Sequence, residues 1–218
     1  RCIDSLLGQT YSDLEVVLVD DASPDASREI ILDYAQKDSR IRPIIVEQNQ
    51  GVSAARNRAL SELSGDWVCF CDGDDWYEKD FVEKMMLCAQ KEDADYIICN
   101  YQIVADHKPA IVSGSISGLT SGCDKRLVIA CGPTSSCTHM IHKSLFDKSG
   151  VCYPKGCRQN EELPVIPVLA KYAKRIGIVN EPLYNYYQRG NGSSASNISA
   201  GSEENFIFAW NASKYSKL

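Results

Sequence analysis

The sequence predicts one compact α/β domain with a mostly parallel sheet flanked by helices. Short apolar runs alternate with helical patterns along the first half of the chain, as they do in βαβ units. Two of the runs end in clusters of aspartate, and open α/β sheets bind ligands at the carboxyl ends of their strands. The 218 residues, 44% of them hydrophobic, can bury one sizeable core, and no stretch is long and apolar enough to span a bilayer.

The elements of the first half follow from this alternation in order. Residues 1–8 have the pattern of an amphipathic helix that begins without a cap. A short apolar run at 14–19 indicates a strand, and a helical pattern at 26–37 follows it. The same alternation then predicts strands at 41–46, 66–71 and 95–104 and helices at 52–63 and 78–91.

The second half is less regular. From residue 105 to 122 the composition shifts to Gly, Ser and Pro without a clear period, which indicates a variable loop or hairpin. Helices are expected at 124–131 and 161–174, and a last amphipathic helix at 203–215. The alternating tyrosines at 184–187 are typical either of a half-buried strand face or of a segment that folds over a ligand.

The most informative segment is Cys-Phe-Cys-Asp-Gly-Asp-Asp-Trp at residues 69–76, at the end of a predicted buried strand. Mg²⁺ and Mn²⁺ prefer oxygen ligands and often bridge protein carboxylates to substrate phosphates. Asp72 and Asp74 could supply that half-site, although Asp and Gly also cluster in ordinary solvated turns. A second acidic pair, Asp20 and Asp21, ends an earlier strand at the same sheet edge, which favours a ligand site.

Three motifs occur in an order that resembles a known family. They are Val-Asp-Asp-x-Ser-x-Asp at 19–25, Asn-x-Gly-x-x-x-Ala-Arg-Asn at 49–57 and Asp-x-Asp-Asp-Trp at 72–76. The sequence resembles the inverting glycosyltransferases of family 2, which have the GT-A fold. The resemblance covers roughly residues 1–195, and several motifs in the correct order are more specific than any one of them. Relatives carry an apolar strand ahead of the first helix, so the first strand of that fold is expected to be missing from this chain.

The resemblance implies a division of labour and an activity. Residues 1–104 would form the nucleotide-sugar-binding half, and 105–218 the acceptor-side half with the C-terminal helix. The implied reaction is the metal-dependent, inverting transfer of a sugar from a nucleotide diphosphate donor to a hydroxyl acceptor, with Mn²⁺ or Mg²⁺ as cofactor. A UDP-sugar is the expected donor, and a glycan or lipid-linked acceptor in polysaccharide or glycolipid synthesis is the expected partner.

Residues of the donor side are implied by the matching motifs. Asp21 would contact the nucleobase with Asp20 beside it, although either acid could simply cap the following helix. Arg56 would face the nucleotide or brace the Asp-x-Asp loop through a charge-assisted pair. Asp74 would bind the metal, with Asp72 near the donor ribose or also close to the metal.

The acceptor side has a candidate base. Relatives usually have Glu-Asp where this chain has Glu161 and Glu162, and the second acid takes the proton of the acceptor hydroxyl. Glu162 holds that position with one extra methylene, and a helix start there would favour its charged form, although acids also occur in first turns for stability alone. Trp76 would pack beneath a donor or acceptor sugar, or belong to the core. Arg189 would reach the diphosphate when a loop closes over it.

Composition limits the remaining classes. The net charge of -6 argues against broad binding to nucleic acid or to anionic membranes. The ten cysteines lack Cys-x-x-Cys spacing, so we expect reduced thiols in a cytoplasmic protein, at the inner membrane face if the acceptor is lipid-linked. Two alternatives stay open: a sugar-phosphate nucleotidyltransferase, and a non-catalytic nucleotide-sugar-binding module.

Overall fold

The structure, a computed structural model, describes residues 1–106, 108, 110–112, 116, 118–157 and 159–188 and the backbone of 207–210. The helices are α1 (Cys2–Leu7), α2 (Ser27–Lys37), α3 (Val52–Glu62), α4 (Phe81–Glu92), α5 (Lys125–Cys131), α6 (Ser144–Ser149) and α7 (Ile166–Tyr172). The strands are β1 (Val16–Asp21), β2 (Ile41–Val46), β3 (Trp67–Phe70), β4 (Trp76–Tyr77), β5 (Tyr96–Ala105), β6 (Ile111–Val112), β7 (His139–His142), β8 (Ile176–Gln188) and β9 (Ile207–Trp210).

The described strands form two sheets. β1 and β2 pair in parallel. The larger sheet has the order β4-β8-β5-β7-β3-β9, with β6 paired to β5. β5 and β8 run parallel, whereas the other described pairs of this sheet are antiparallel. The predicted mostly parallel arrangement is therefore wrong for the larger sheet, because β7 inserts between β3 and β5 and pairs antiparallel with both.

The predicted elements of the first half are confirmed, with ends displaced by a few residues. In the second half the helix predicted at 161–174 begins only at Ile166, because Pro167 lacks an N–H and fits a helix only in its first turn. Residues 161–165 form turns instead. The helix predicted at 203–215 is wrong for 207–210, whose backbone pairs with β3 as a strand. The rest of that range lies outside the described residues.

The core lies against β1 and β3, whose residues are all buried. α4 covers β5 and β8 with an apolar face. Its buried residues, at helical spacing, are Phe81, Val82, Met85, Met86 and Ala89. Tyr77 of β4 stacks on Phe81 and donates its hydroxyl to the carbonyl oxygen of Phe70, which joins β4 to the end of β3. Within the described ranges, no helix combines the length and apolar character needed to cross a membrane.

Candidate functional site

The end of β1 carries Asp20 and Asp21, and both side chains are buried. Both carboxylate oxygens of Asp21 accept the backbone N–H of Gln50 at 3.0 Å, and one also accepts the N–H of Gly51 at 2.7 Å. The side chain of Asn49 donates to the carbonyl oxygen of Asp21 at 3.0 Å. Asp21 therefore fixes the loop that leads into α3.

Asp20 has other partners. Its carboxylate accepts the N–H of Ser23 at 3.2 Å and pairs with Arg28 of α2 at 3.4 Å. Ala22, which follows the acidic pair, adopts a positive φ of 59°, a conformation that costs a non-glycine residue about 1–2 kcal/mol. Such strain is typical of segments held in place for function. Both acids thus have partners within the protein, and their contact with a donor stays a prediction.

α3 brings Arg56 to the centre of the site. The buried face of this helix carries Val52, Ala55 and Ala59 at helical spacing. Arg56 lies on the same face and is 3% exposed. Its guanidinium carbon lies 5.8 Å from the ring centre of Phe70 and 5.4 Å from that of Tyr153. Packing against these rings fixes where the guanidinium points.

The guanidinium joins three carboxylates from distant parts of the chain. Nη2 lies 3.2 Å from Asp72, which follows β3, and Nη1 lies 2.5 Å from Glu161 and 3.3 Å from Glu162. Burial opposes the charge of Arg56, yet Asp72 and Glu162 hold its pKa well above the ordinary value. The predicted brace between Arg56 and the Asp-x-Asp loop is present, and the structure extends it to the predicted base.

Glu162 lies in a turn rather than at a helix start, and its side chain is 17% exposed. Since α7 begins only at Ile166, the expected effect of the helix dipole on Glu162 is wrong. Its Oε1 instead accepts the N–H of Ser136 at 2.6 Å and faces Arg56. Burial raises the pKa of Glu162, while the charge of Arg56 lowers it. A carboxylate with a raised pKa is suited to accept a proton near neutral pH.

The turn after β3 concentrates negative charge. The N–H of Asp75 donates to the carbonyl oxygen of Asp72 at 3.0 Å, which closes the turn. The Asp72 side chain is 36% exposed, whereas Asp75 is buried and accepts from the Tyr184 hydroxyl and from the N–H of Tyr187. Burial, and then the charges of Asp72 and Asp74, raise the pKa of Asp75 to about 8. A cation at this turn would offset that repulsion.

Trp76 lies beside the acidic turn, and Arg1 covers its indole ring. The guanidinium carbon of Arg1 is 3.7 Å from the ring centre of Trp76 and 4.6 Å from that of Tyr187, a cation–π arrangement. Arg1 also donates to the carbonyl oxygen of Asp74 at 3.1 Å. The acceptor-side role of Trp76 stays a prediction, and the sequence carried no signal that Arg1 would stack on it.

Ser136 and Tyr153 are site residues that sequence reasoning missed. Their hydroxyls are 2.7 Å apart directly behind Glu162 and Arg56. Asn57 clamps the backbone of Tyr153 with two hydrogen bonds, of 2.8 and 2.9 Å. Ser136 contacts Glu162 through a backbone N–H, and Tyr153 contacts Ser136 through a hydroxyl, and neither group has a distinctive sequence pattern. Asn57, in the Ala-Arg-Asn motif, was the one signal in the sequence that pointed to Tyr153.

Arg189 falls outside the described residues, and its contact with the diphosphate stays a prediction. His139 is buried, and burial lowers its pKa to about 4, so its imidazole stays neutral above that pH. In the part of the chain that the structure describes, no group of three or more His, Cys, Asp and Glu side chains could by itself hold a metal ion.

Comparison with known sequences finds relatives that are named glycosyltransferases. The glycosyltransferase EpsJ of Bacillus subtilis (strain 168), described as uncharacterized, is 29% identical over 204 residues, which are 88% of this chain and 57% of EpsJ. Glycosyltransferase GlyA of Streptococcus pneumoniae serotype 4 is 44% identical over 101 residues, 46% of this chain and 14% of GlyA. The chain thus spans little more than half the length of EpsJ and less of GlyA.

A solved structure shows the fold. S. aureus TarS 1-349 in complex with UDP-GlcNAc matches with a TM-score of 0.78 at 22% identity, over 91% of this chain and 57% of that chain. This likeness confirms the α/β class and the GT-A fold. The model of the family described as Glycosyl transferase family 2 matches residues 1–150, which hold all three motifs and the acidic turn. The chain belongs to glycosyl transferase family 2.

Proposed function

We propose that this protein moves a sugar from a nucleotide diphosphate donor to a hydroxyl acceptor. The observation that carries the proposal is the cluster in which the buried Arg56 joins Asp72 to Glu162 in a family 2 chain. An acid at the strand end, where a donor is expected, is thereby linked to an acid that can accept a proton. The TarS complexes with UDP-GlcNAc and with UDP support a UDP-sugar as donor.

The chain offers a base for an inverting displacement. The acceptor hydroxyl would attack the anomeric carbon from the face opposite the diphosphate, and Glu162 would take its proton. The N–H of Ser136 and the Arg56 guanidinium hold Oε1 of Glu162, so Oε2 is the oxygen offered to the acceptor. On the donor side, Asp21 would act through the loop that it fixes and, with Asp20, border the nucleoside.

A divalent cation, Mn²⁺ or Mg²⁺, fits the acidic turn. Burial, together with the charges of Asp72 and Asp74, raises the pKa of Asp75, and a cation would offset this excess charge. Asp74 and Asp72 would hold the ion, and the donor diphosphate would complete an oxygen coordination that two carboxylates cannot fill. When bound, the ion would stabilise the charge that grows on the leaving diphosphate.

The acceptor would be a glycan or a lipid-linked molecule, in polysaccharide or glycolipid synthesis. The ten free cysteines favour the cytoplasm, and a lipid-linked acceptor would place the enzyme at the inner face of the membrane. The names of EpsJ and GlyA as glycosyltransferases support the transfer of a sugar, and the acceptor class follows from the family resemblance.

The test measures UDP release from UDP-GlcNAc, UDP-glucose and UDP-galactose by the full chain with Mn²⁺, in water and with a panel of glycan acceptors. Glu162→Gln should lower turnover by about two to four orders of magnitude with UDP affinity unchanged, because a base acts only in the transition state. Glu181→Gln, at an exposed pair with Lys84, is the control that should keep turnover.

Two outcomes would replace the proposal. Tight UDP-sugar binding without transfer or hydrolysis would make the protein a non-catalytic nucleotide-sugar-binding module. Formation of a nucleotide sugar from UTP and a sugar phosphate would make it a nucleotidyltransferase.

A further inference from the structure

Arg56 is buried, and its guanidinium contacts other side chains of the protein. Its guanidinium is buried against the rings of Phe70 and Tyr153. Its nitrogens already face Asp72, Glu161 and Glu162. A fixed, fully packed guanidinium cannot follow a substrate that enters and leaves. Its geometry is suited to holding other side chains in place.

The cluster contains more negative than positive charge. One guanidinium faces three carboxylates, and buried charges are costly unless they are paired. Nη1 serves two of these acids at once: it lies 2.5 Å from Glu161 and 3.3 Å from Glu162. Glu161 therefore competes with Glu162 for the same nitrogen.

Among the residues that the structure describes, the tyrosine and cysteine side chains around Glu162 are neutral near pH 7. Tyr96 on β5, Cys137 and Tyr153 interact with Glu162, and burial raises the pKa of each above its ordinary value. Within the described ranges, the charged side chains that act on Glu162 are those of Arg56, Asp72 and Glu161. Burial raises the pKa of Glu162, Arg56 lowers it, and Asp72 and Glu161 raise it.

We propose that Arg56 is a positioning residue that keeps the Glu162 carboxylate ionised and aimed at the acceptor, while Glu161 weakens this effect by sharing Nη1. The inference rests on the proposed function, in which Glu162 is the base. It assigns Glu161 the role of setting the charge on Glu162, a role distinct from proton transfer.

The proposal predicts shifts of opposite sign in the pH profile of UDP release from UDP-GlcNAc, with water as acceptor. Arg56→Lys keeps the charge, but a single ammonium group cannot reach all three carboxylates that the two guanidinium nitrogens contact. Arg56→Gln removes the positive charge. The midpoint of the acid limb should therefore rise in both variants, by about one to three pH units for Arg56→Gln. Activity lost at pH 7 should return at higher pH. Glu161→Gln removes a competing acid, so its midpoint should fall.

Arg58→Gln is the matched control, since Arg58 lies on the same helix, is 59% exposed and pairs with Glu62. Its pH midpoint should equal that of the wild type. A lower turnover with an unchanged midpoint in Arg56→Lys would make Arg56 merely structural and overturn the inference. Should both Arg56 variants fail to fold, an unchanged or raised midpoint in Glu161→Gln would overturn it as well.

Carbon-13 NMR of the glutamate carboxyl groups tests the same point without turnover. The signal of Glu162 is assigned by its loss in Glu162→Gln, and its titration should move upward in Arg56→Lys and downward in Glu161→Gln. A wild type that releases no UDP but shows these titration shifts would refute the proposed activity and leave the charge relationship standing. Absent shifts in an active protein would refute the inference alone.

Discussion

Removal of the Asp21 carboxylate should destabilise the loop before α3 as well as weaken donor binding. In Asp21→Ala the backbone N–H groups of Gln50 and Gly51 lose their acceptor. An unpaired buried donor costs about 1–3 kcal/mol, so two of them cost about 2–6 kcal/mol. Water can reach this part-buried loop, which places the expected loss of unfolding free energy near the lower end, about 2–3 kcal/mol.

Urea unfolding followed by circular dichroism measures this loss, and calorimetry with UDP measures affinity in the protein that remains folded. Asp25→Ala is the control, because the exposed Asp25 carboxylate accepts the N–H of Ser27 at the start of α2. Its loss should cost only about 1 kcal/mol, without change in UDP affinity. A variant Asp21→Ala with wild-type stability would refute the reasoning from the loop contacts. Lower stability with unchanged UDP affinity would show that Asp21 holds the loop and does not contact the donor.

Three further predictions concern the metal, the pH profile and the loop backbone. Asp74→Ala should lower metal-dependent UDP release by at least about two orders of magnitude and remove the Mn²⁺ dependence of donor binding in calorimetry; unchanged turnover would contradict the metal assignment. Since the pKa of Glu162 is raised above its ordinary value of 4.5 and the ionised form is the base, wild-type turnover should fall as pH drops through that raised pKa; an acid limb centred at or below pH 4.5 would be inconsistent with it. Gly51 has φ 85° and ψ 164°, a conformation nearly restricted to glycine, and an added Cβ would meet no atom within 4 Å. Gly51→Ala should therefore lose about 1–3 kcal/mol of unfolding free energy from backbone strain alone. A smaller loss in urea unfolding would argue against that backbone geometry.

Local patterns in the sequence were sufficient for the elements of the first half. Apolar runs identify β1 and β2, and helical spacing identifies α2 and α3, because a strand against the core leaves a contiguous apolar run and a surface helix buries one face. The motif order also predicted the acidic strand end and Arg56 as site residues, and the structure brings Asp72 and Arg56 together. These features depend on residues that are close together in the chain, and such residues leave a periodic or contiguous trace.

The direction in which the strands of the second half run could be read only from the tertiary structure. β7 and β9 are short and pair antiparallel on the two sides of β3, and a four-residue strand carries too little pattern to show its direction. The turn that holds Glu162 likewise depends on where Pro167 lets α7 begin.

The sequence by itself determined that this is a family 2 chain with acids at its strand ends, because those motifs are local and contiguous. Only the tertiary structure decided what the acids do for one another. Arg56 contacts Glu161, which lies 105 positions further along the chain. Asp21 accepts backbone N–H groups, which cannot be recognised from residue type. Ser136 likewise donates its backbone N–H to Glu162. The ionisation of a buried carboxylate depends on the charges around it in space, and those neighbours exist only once the chain has folded.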